Sequence, residues 1–397
     1  MKEPQRRWRL ALFLATSGHS GVDRIMKHFI AELGTRPLDV DLLQVEGHGP
    51  HMASLPPNVR RVPLGTRHVQ SSVLRLAQYL RKVRPNALLC DKDRVNRTAV
   101  VSAVMAGYPG RLVLRVGTTV SKNLESRGFF HRSVQYWSIR RLYAKAQTVI
   151  VPSQGAARDL EAVGSFPPGF VRVLPSPVVS DALHRLARKP IAHPWLQKGE
   201  PPVILGAGEL CERKDFGTLI RAFAQVVKIR PCRLVILGKG KKRAALEALA
   251  RDLSISDKVS FPGFVENPYA YMAGSAVFVL SSTCEGLPVV LTEAMALGTP
   301  VVSTDCPSGP REILKDGRFG PLVPIRNPRM LAEAIATVLD TPPDADALKA
   351  AASRYHVRPA TDAYLQVLGY DETPDPRAGS WDTPPRPMDG EAAGETP

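Results

Sequence analysis

The chain is 397 residues long, 44% hydrophobic, and carries 53 Lys/Arg against 37 Asp/Glu, a formal net charge of +16. That length suits two domains of ordinary size, and no apolar run approaches the roughly 18 residues of a helical membrane span. The five cysteines, Cys90, Cys211, Cys232, Cys284 and Cys306, are odd in number and scattered, which speaks against a disulfide framework or a zinc site and for a reducing cytoplasm.

Arg6-Arg7-Trp8-Arg9 ahead of a short apolar run has the outline of a signal peptide. The run is too short, and a glycine-rich turn rather than a small-residue cleavage site follows it. Residues 9–15 are therefore expected to form a first strand, and Thr16-Ser-Gly-His-Ser-Gly21 a tight loop. A helix should follow, with Val22, Ile25, Met26, Phe29, Ile30 and Leu33 on one face. Further strands are predicted at 40–45, 87–90, 112–116, 148–151 and 171–174, and helices at 71–83, 97–106, 132–146 and 155–163. Pro175, Pro177, Pro190 and Pro194 then interrupt the periodicity, placing a linker at 179–200. The pattern restarts with strands at 202–206 and 233–237 and helices at 215–228 and 241–253, the first of these turning Phe216, Leu219, Ile220, Phe223 and Val227 inward. Strands at 276–280 and 299–303 complete that half. A last helix is expected at 359–368, and from Asp371 the chain is Pro, Gly, Asp and Glu with almost no aliphatic residues, a composition that stays disordered. The alternation, run through twice, predicts an α/β protein with two parallel sheets: domains at 1–178 and 201–355, a helix within 356–370 and a tail at 371–397.

Charge is uneven. Residues 1–189 hold 30 Lys/Arg and 12 Asp/Glu, whereas the last 27 residues are net acidic. A basic half suits nucleic acid, an anionic membrane surface or a phosphorylated substrate. No helix-turn-helix, zinc-finger or RNA-binding aromatic signature is present, so a membrane surface or a phosphorylated glycolipid is the expected partner and nucleic acid is not.

The most informative stretch is Glu285-Gly-Leu-Pro-Val-Val-Leu-Thr-Glu293. It follows a buried-strand pattern and contains a helix start, since Pro288 lacks the N–H that a first turn leaves unpaired. Helix N-termini offer free N–H groups and a positive dipole end to phosphate, and the segment Gly286, Leu287, Pro288 and Val289 leads into such a start. A carboxylate on each side, Glu285 and Glu293, suits a nucleotide sugar, one for sugar hydroxyls and one for ribose hydroxyls. Arg213 and Lys214 fall at another strand end, where open α/β sheets bind ligands, and could hold a diphosphate. Leu237-Gly-Lys-Gly240 lets backbone come close to a ligand at Gly238. Ser17-Gly-His-Ser-Gly21 occupies the equivalent place in the first half. It lacks the second and third glycines of dinucleotide binding, and His19 reads as a solvated loop residue. Asp91-Lys-Asp93 matches a metal-diphosphate pattern but lies in the half without the paired glutamates, and no other cluster offers metal ligands. No nucleophile elbow or Walker loop occurs.

These residues resemble those of the retaining nucleotide-sugar glycosyltransferases of family 4. The likeness rests on Glu285 and Glu293, on Lys214 after Gly208-Glu-Leu210, and on Leu237-Gly-Lys-Gly240 and Phe261-Pro-Gly-Phe-Val265. Glu293-Ala-Met-Ala-Leu-Gly-Thr-Pro-Val-Val302 and Ser308-Gly-Pro-Arg-Glu-Ile313 extend it. In the first half, Ser20-Gly-Val-Asp-Arg24 and Val151-Pro-Ser153 are looser matches. The resemblance implies a GT-B fold, two facing Rossmann-like domains with a cleft between them, the first on the acceptor side. It implies that Glu285 sits beside the donor sugar, Glu293 binds ribose, Lys214 holds the diphosphate, and backbone near Phe264 meets the base, with Gly21 at the cleft edge. Reaction would proceed with retention, the leaving phosphate taking the acceptor proton, with no metal and no cofactor beyond the co-substrate. Two departures stand out. Glu209 replaces the usual arginine beside the phosphate lysine, leaving Arg213 to supply the missing cation, and Arg115-Val-Gly-Thr-Thr119 lacks the usual donor-sugar histidine.

The expected function is transfer of a hexose or N-acetylhexosamine from a UDP-sugar to a lipid-linked, lipopolysaccharide or capsule glycan, by a cytoplasmic protein peripheral to the inner face of the membrane. The alternatives are a non-catalytic nucleotide-sugar-binding protein and a UDP-sugar epimerase on the same fold.

Overall fold

The computed structural model describes residues 7–16, 21–125, 127–191 and 193–371. Its first sheet contains β1 (Arg9–Leu14), β2 (Asp39–Gln44), β3 (Val59–Pro63), β4 (Ala87–Asp91), β5 (Arg111–Arg115), β6 (Thr148–Val151) and β7 (Val171–Val173), in the order β3-β2-β1-β4-β5-β6-β7. The second contains β8 (Val203–Ala207), β9 (Arg233–Leu237), β10 (Val259–Gly263), β11 (Val277–Leu280), β12 (Val301–Thr304) and β13 (Leu322–Val323), in the order β10-β9-β8-β11-β12-β13. All pairings between these strands are parallel.

Parallel strands covered on both faces read as continuous apolar runs, and β1 shows why. It lies between β2 and β4, with Leu12 opposite Leu42 on one side and Leu89 on the other. Leu10, Leu12 and Leu14 point into an apolar cluster that continues into the second domain, while Ala11 and Phe13 point into a separate cluster on the sheet's outer side. That alternation is the two-residue period of a strand.

Three strands escaped the sequence pattern, each for a physical reason. β3 and β10 are edge strands; β3 exposes Arg60, and β10 carries the exposed Pro262. Edges are not covered on both sides and so show no apolar run. β13 is only two residues long.

The 179–200 stretch, where the linker is expected, contains a helix. Asp181–Ala187 forms a helix with Leu183 buried. It packs on the helix Pro268–Gly274, where Asn267 Nδ2 donates to Leu186 O at 2.8 Å. Seven residues are under two turns, too few for periodicity to register.

The chain crosses between domains twice, side by side. Val178 and Val179 N–H both donate to Tyr355 O (3.0 and 2.9 Å), and Val357 N–H donates to Val179 O at 2.8 Å. The last helix, Val357–Leu368, then returns to the first domain. Pro359 falls in its first turn, where its missing N–H has no intrahelical partner. Tyr364 meets Phe29 with ring centroids 5.3 Å apart, and its hydroxyl accepts from Arg115 Nε at 3.0 Å. The tail expected to be disordered lies, beyond Asp371, outside the described residues.

Candidate active site

The sequence-predicted residues of the second domain all follow carboxyl ends of strands: Lys214 after β8, Gly238 after β9, Phe264 after β10 and Glu285 after β11. From β8 the sheet grows one way through β9 and β10, and from β11 the other way through β12 and β13. The β8–β11 boundary is thus a topological switch point, where open α/β sheets leave a crevice for ligand.

Lys214 and Glu285 meet there. Lys214 ends a short turn, Glu212–Lys214, and Asp215 caps the next helix, its carboxylate accepting from Thr218 Oγ1 at 2.7 Å. Ser281 Oγ donates to Lys214 O (2.8 Å) and Thr283 N–H to Arg213 O (2.9 Å), fixing the basic pair against the end of β11. Glu285 Oε1 accepts from Lys214 Nζ at 2.6 Å and from Ser282 Oγ at 2.8 Å, while Oε2 lies 3.1 Å from Arg213 Nη1. Burial pushes the Glu285 carboxyl upward, but Lys214 and Arg213 outweigh it and hold its pKa below the ordinary value. Burial likewise opposes the Arg213 charge, and Glu285 reverses that, raising the guanidinium. Two cations share one carboxylate, leaving one positive charge for an incoming anion.

The loop after Glu285 is clamped by the first domain. Thr119 Oγ1 donates to Glu285 O at 3.0 Å, and Ser153 Oγ to Gly286 O at 3.0 Å. Ser308 Oγ adds a second bond to Gly286 O at 3.2 Å. A Cβ built on Gly286 would lie 2.2 Å from Gly117 O, so only glycine lets the domains approach this closely. Pro288 stands one place earlier than expected, as the N-cap of the helix Val289–Ala296. The first turn-closing bond runs from Leu291 N–H to Pro288 O at 3.0 Å. The N–H groups of Val289 and Val290 precede it, as any helix start requires. Gly21 opens the helix Gly21–Leu33, and a Cβ there would come 3.6 Å from Val289, placing it on the cleft wall.

Glu293 is fully buried in that helix. Its Oε1 accepts from Arg24 Nη1 of the first domain at 2.5 Å and from Tyr269 OH at 3.3 Å. The attraction of Glu293 raises the Arg24 pKa. Glu293 Oε2 is buried with no hydrogen-bond partner among the described residues, and an unpaired buried acceptor is costly unless a ligand supplies the donor.

Other predicted positions fall elsewhere. A Cβ on Gly238 would lie 1.8 Å from Gly208 O, so no side chain fits between these two strand ends. Phe264 is 49% exposed after the edge strand, and Glu209 is exposed. Asp91 binds Arg115 Nη1 through both oxygens at 3.1 Å, and Arg115 Nη2 donates to Ser176 Oγ at 3.1 Å. Asp93 accepts from Tyr143 OH at 2.9 Å and pairs with Arg97. The Asp-x-Asp pattern is thus consumed by internal bonds. Residue 19 lies outside the described residues, as does Ser20 of the Ser20–Arg24 motif. Among the described residues, no group of three or more His, Cys, Asp or Glu is placed to hold a metal ion.

Sequence reasoning gave no role to Tyr269, Ser282, Thr119, Ser153 or Ser308. Glu312 lies within the Ser308–Ile313 motif with no role of its own, yet this carboxylate crosses the cleft to accept from Gln154 N–H (2.7 Å) and Gly155 N–H (2.8 Å) at the start of the helix Gln154–Gly164. No local signal marks the contacts of Thr119, Ser153 and Glu312, whose partners lie more than a hundred positions away in the other domain, whereas Tyr269 and Ser308 reach theirs across 24 and 22 positions and Ser282 meets Glu285 only three positions on.

Residues 188–355 match the family glycosyl transferases group 1. The N-acetylgalactosamine-N,N'-diacetylbacillosaminyl-diphospho-undecaprenol 4-alpha-N-acetylgalactosaminyltransferase of Campylobacter jejuni is 34% identical over 248 residues, covering 62% of this chain and 65% of the relative. Lipopolysaccharide core biosynthesis glycosyltransferase LpsE of Rhizobium meliloti is 37% identical over 177 residues, covering 43% of this chain and 50% of that one. The chain therefore spans less than two thirds of either relative's length. The solved structure of Anabaena HepE in complex with UDP and glucose aligns with a TM-score of 0.73 at 18% identity, over 91% of this chain and 99% of that one. The fold is GT-B: two facing Rossmann-like domains with a cleft between them.

Proposed function

We propose that the protein is a retaining glycosyltransferase of family 4 that moves a hexose or N-acetylhexosamine from a UDP-sugar to a lipid-linked, lipopolysaccharide or capsule glycan. The observation that carries this reading is the Lys214–Glu285 pair at the switch point, 2.6 Å apart beside the N-terminus of Val289–Ala296. Lys214 and Arg213 supply positive charge for a diphosphate, and the backbone from Gly286 to Val289 adds the dipole end of a helix. When donor enters, Lys214 turns part of its bonding from Glu285 to phosphate, which frees a carboxylate oxygen for sugar hydroxyls. The unpaired Glu293 Oε2 then accepts from a ribose hydroxyl.

In this reading catalysis is positioning and charge neutralisation. The acceptor hydroxyl attacks the anomeric carbon on the face the diphosphate leaves, the glycosidic C–O bond breaks, and the leaving phosphate oxygen takes the acceptor proton. The choice of UDP is supported by the nucleotide named for HepE, and that of a lipid-linked acceptor by the diphospho-undecaprenol named for the Campylobacter relative. We place the protein at the inner face of the cytoplasmic membrane.

The test is thermal stabilisation by UDP, GDP and ADP, followed by UDP-sugars, because ligand that binds only the folded state raises its melting temperature. A shift with UDP that vanishes in Lys214→Ala is expected. No shift with any nucleotide would overturn the donor-site assignment.

A further inference from the structure

The helix Phe129–Ser138, on the outer side of the first sheet, turns large apolar side chains to solvent. Phe129 is 78% exposed, Phe130 82% and Trp137 62%, with Val134 between them at 45%. Phe130, Val134 and Trp137 stand at i, i+4 and i+7, one stripe of a helix. A soluble surface rarely gathers so many large apolar groups unless they meet a partner. The carboxyl end of the helix is held by polar bonds: Ser138 Oγ accepts from Arg97 Nη1 at 3.3 Å, and Tyr143, in the segment Ile139–Tyr143 that continues it, donates to Asp93. The stripe is therefore displayed by a helix anchored at its carboxyl end.

Charge identifies the partner. Residues 94–158 contain eleven Lys/Arg and a single carboxylate, Glu125, which pairs with Lys122. Arg127 precedes the aromatic stripe and Arg141 continues it, both exposed. Aromatic groups flanked by cations match an anionic bilayer, where rings enter the headgroup boundary and cations meet lipid phosphates. A protein partner would need carboxylates set opposite this field, and nothing in the fold prescribes their spacing. The stripe is also joined to the cleft: Thr119, bonded to Glu285 O, precedes Phe129 by ten positions.

We propose that the exposed face of Phe129–Ser138, with Arg127 and Arg141, docks the protein on an anionic phospholipid surface and so presents the cleft to a lipid-anchored acceptor. The inference rests on the membrane-surface part of the function proposed above and names the site that carries it. Among the described residues no helix is long and apolar enough to cross a membrane, and surface docking requires none.

The experiment is co-sedimentation with vesicles of phosphatidylcholine alone and of phosphatidylcholine with about 30% phosphatidylglycerol, with UDP-induced thermal stabilisation measured on the same proteins in the absence of vesicles. Wild-type protein should sediment with the anionic vesicles only, and Trp137 emission should shift to the blue on binding. Phe129→Ser with Phe130→Ser, and separately Arg127→Glu with Arg141→Glu, should each lower vesicle affinity by about tenfold or more while the melting temperature and the UDP response stay unchanged. Trp137→Phe should still sediment but lose most of the emission shift. Wild-type sedimentation undiminished in both double variants would overturn the proposal, as would equal binding to uncharged vesicles. Conversion of a dimer to a monomer by the phenylalanine variant, with vesicle binding intact, would show the face to be a self-association surface instead. Because UDP stabilisation is read without vesicles, failure of docking and failure of the donor site are seen separately.

Discussion

Arg24 and Glu293 are 269 positions apart in the chain and meet across the cleft at 2.5 Å. Arg24 is partly exposed and Glu293 fully buried, so the pair joins the cleft wall of one domain to the interior of the other. Tyr269 shares the carboxylate and lies beneath the guanidinium, 5.6 Å from carbon to ring centroid. This arrangement makes the ribose-side carboxylate of the proposed donor site depend on a residue of the opposite domain.

Arg24→Ala should consequently destabilise the protein by about 3–5 kcal/mol, because it strands Glu293 as a buried charge. Arg24→Ala with Glu293→Gln should recover much of that loss. Urea denaturation of the three proteins checks this, and equal midpoints for wild type and Arg24→Ala would contradict it.

Turnover should depend on the switch-point pair. Glu285→Ala and Lys214→Ala are each expected to lower turnover by about a hundredfold or more, the scale seen when a charge-stabilising group is removed, with the fold preserved by circular dichroism. Near-normal turnover in both variants would remove the site assignment.

Acid should weaken the protein partly through Glu285. Its folded pKa lies below the ordinary carboxyl value of 4.5, so its stabilising contribution is complete above that value and is lost as pH falls through the depressed one. Stability measured downward from about pH 5 should fall more steeply in wild type than in Glu285→Gln. Parallel curves would show that Glu285 contributes nothing to acid sensitivity.

The closed arrangement should fail with Gly286→Ala. The new methyl would lie 2.2 Å from Gly117 O, a distance that neither backbone can relieve without the domains separating. Small-angle scattering should show a larger radius of gyration and the assay a loss of turnover, while each domain keeps its secondary structure. An unchanged scattering profile would mean that the loop yields and the domains do not.

How legible the molecule is from its sequence follows from the range of the forces involved. β1, β4, β8 and β11 could be read directly, because burial on both faces demands an unbroken apolar run. The helix start after Glu285 and the cations after β8 could be read too, since proline, glycine and a strand end act within a few residues. Edge strand β3 could not, because half of it faces water, nor could the short helix Asp181–Ala187.

Two parallel α/β units, and the set of polar groups gathered at their strand ends, follow from local periodicity and turn chemistry alone. Which of these groups become partners is left to the tertiary structure. It joined Lys214 to Glu285 and Arg24 to Glu293, spent Asp91 on Arg115, and set Gly238 against the backbone of Gly208. It also left Phe129 and Phe130 facing water, although side chains of that kind are ordinarily buried. A charge or an aromatic ring has many possible neighbours along an unfolded chain, and burial at one place in the fold selects among them.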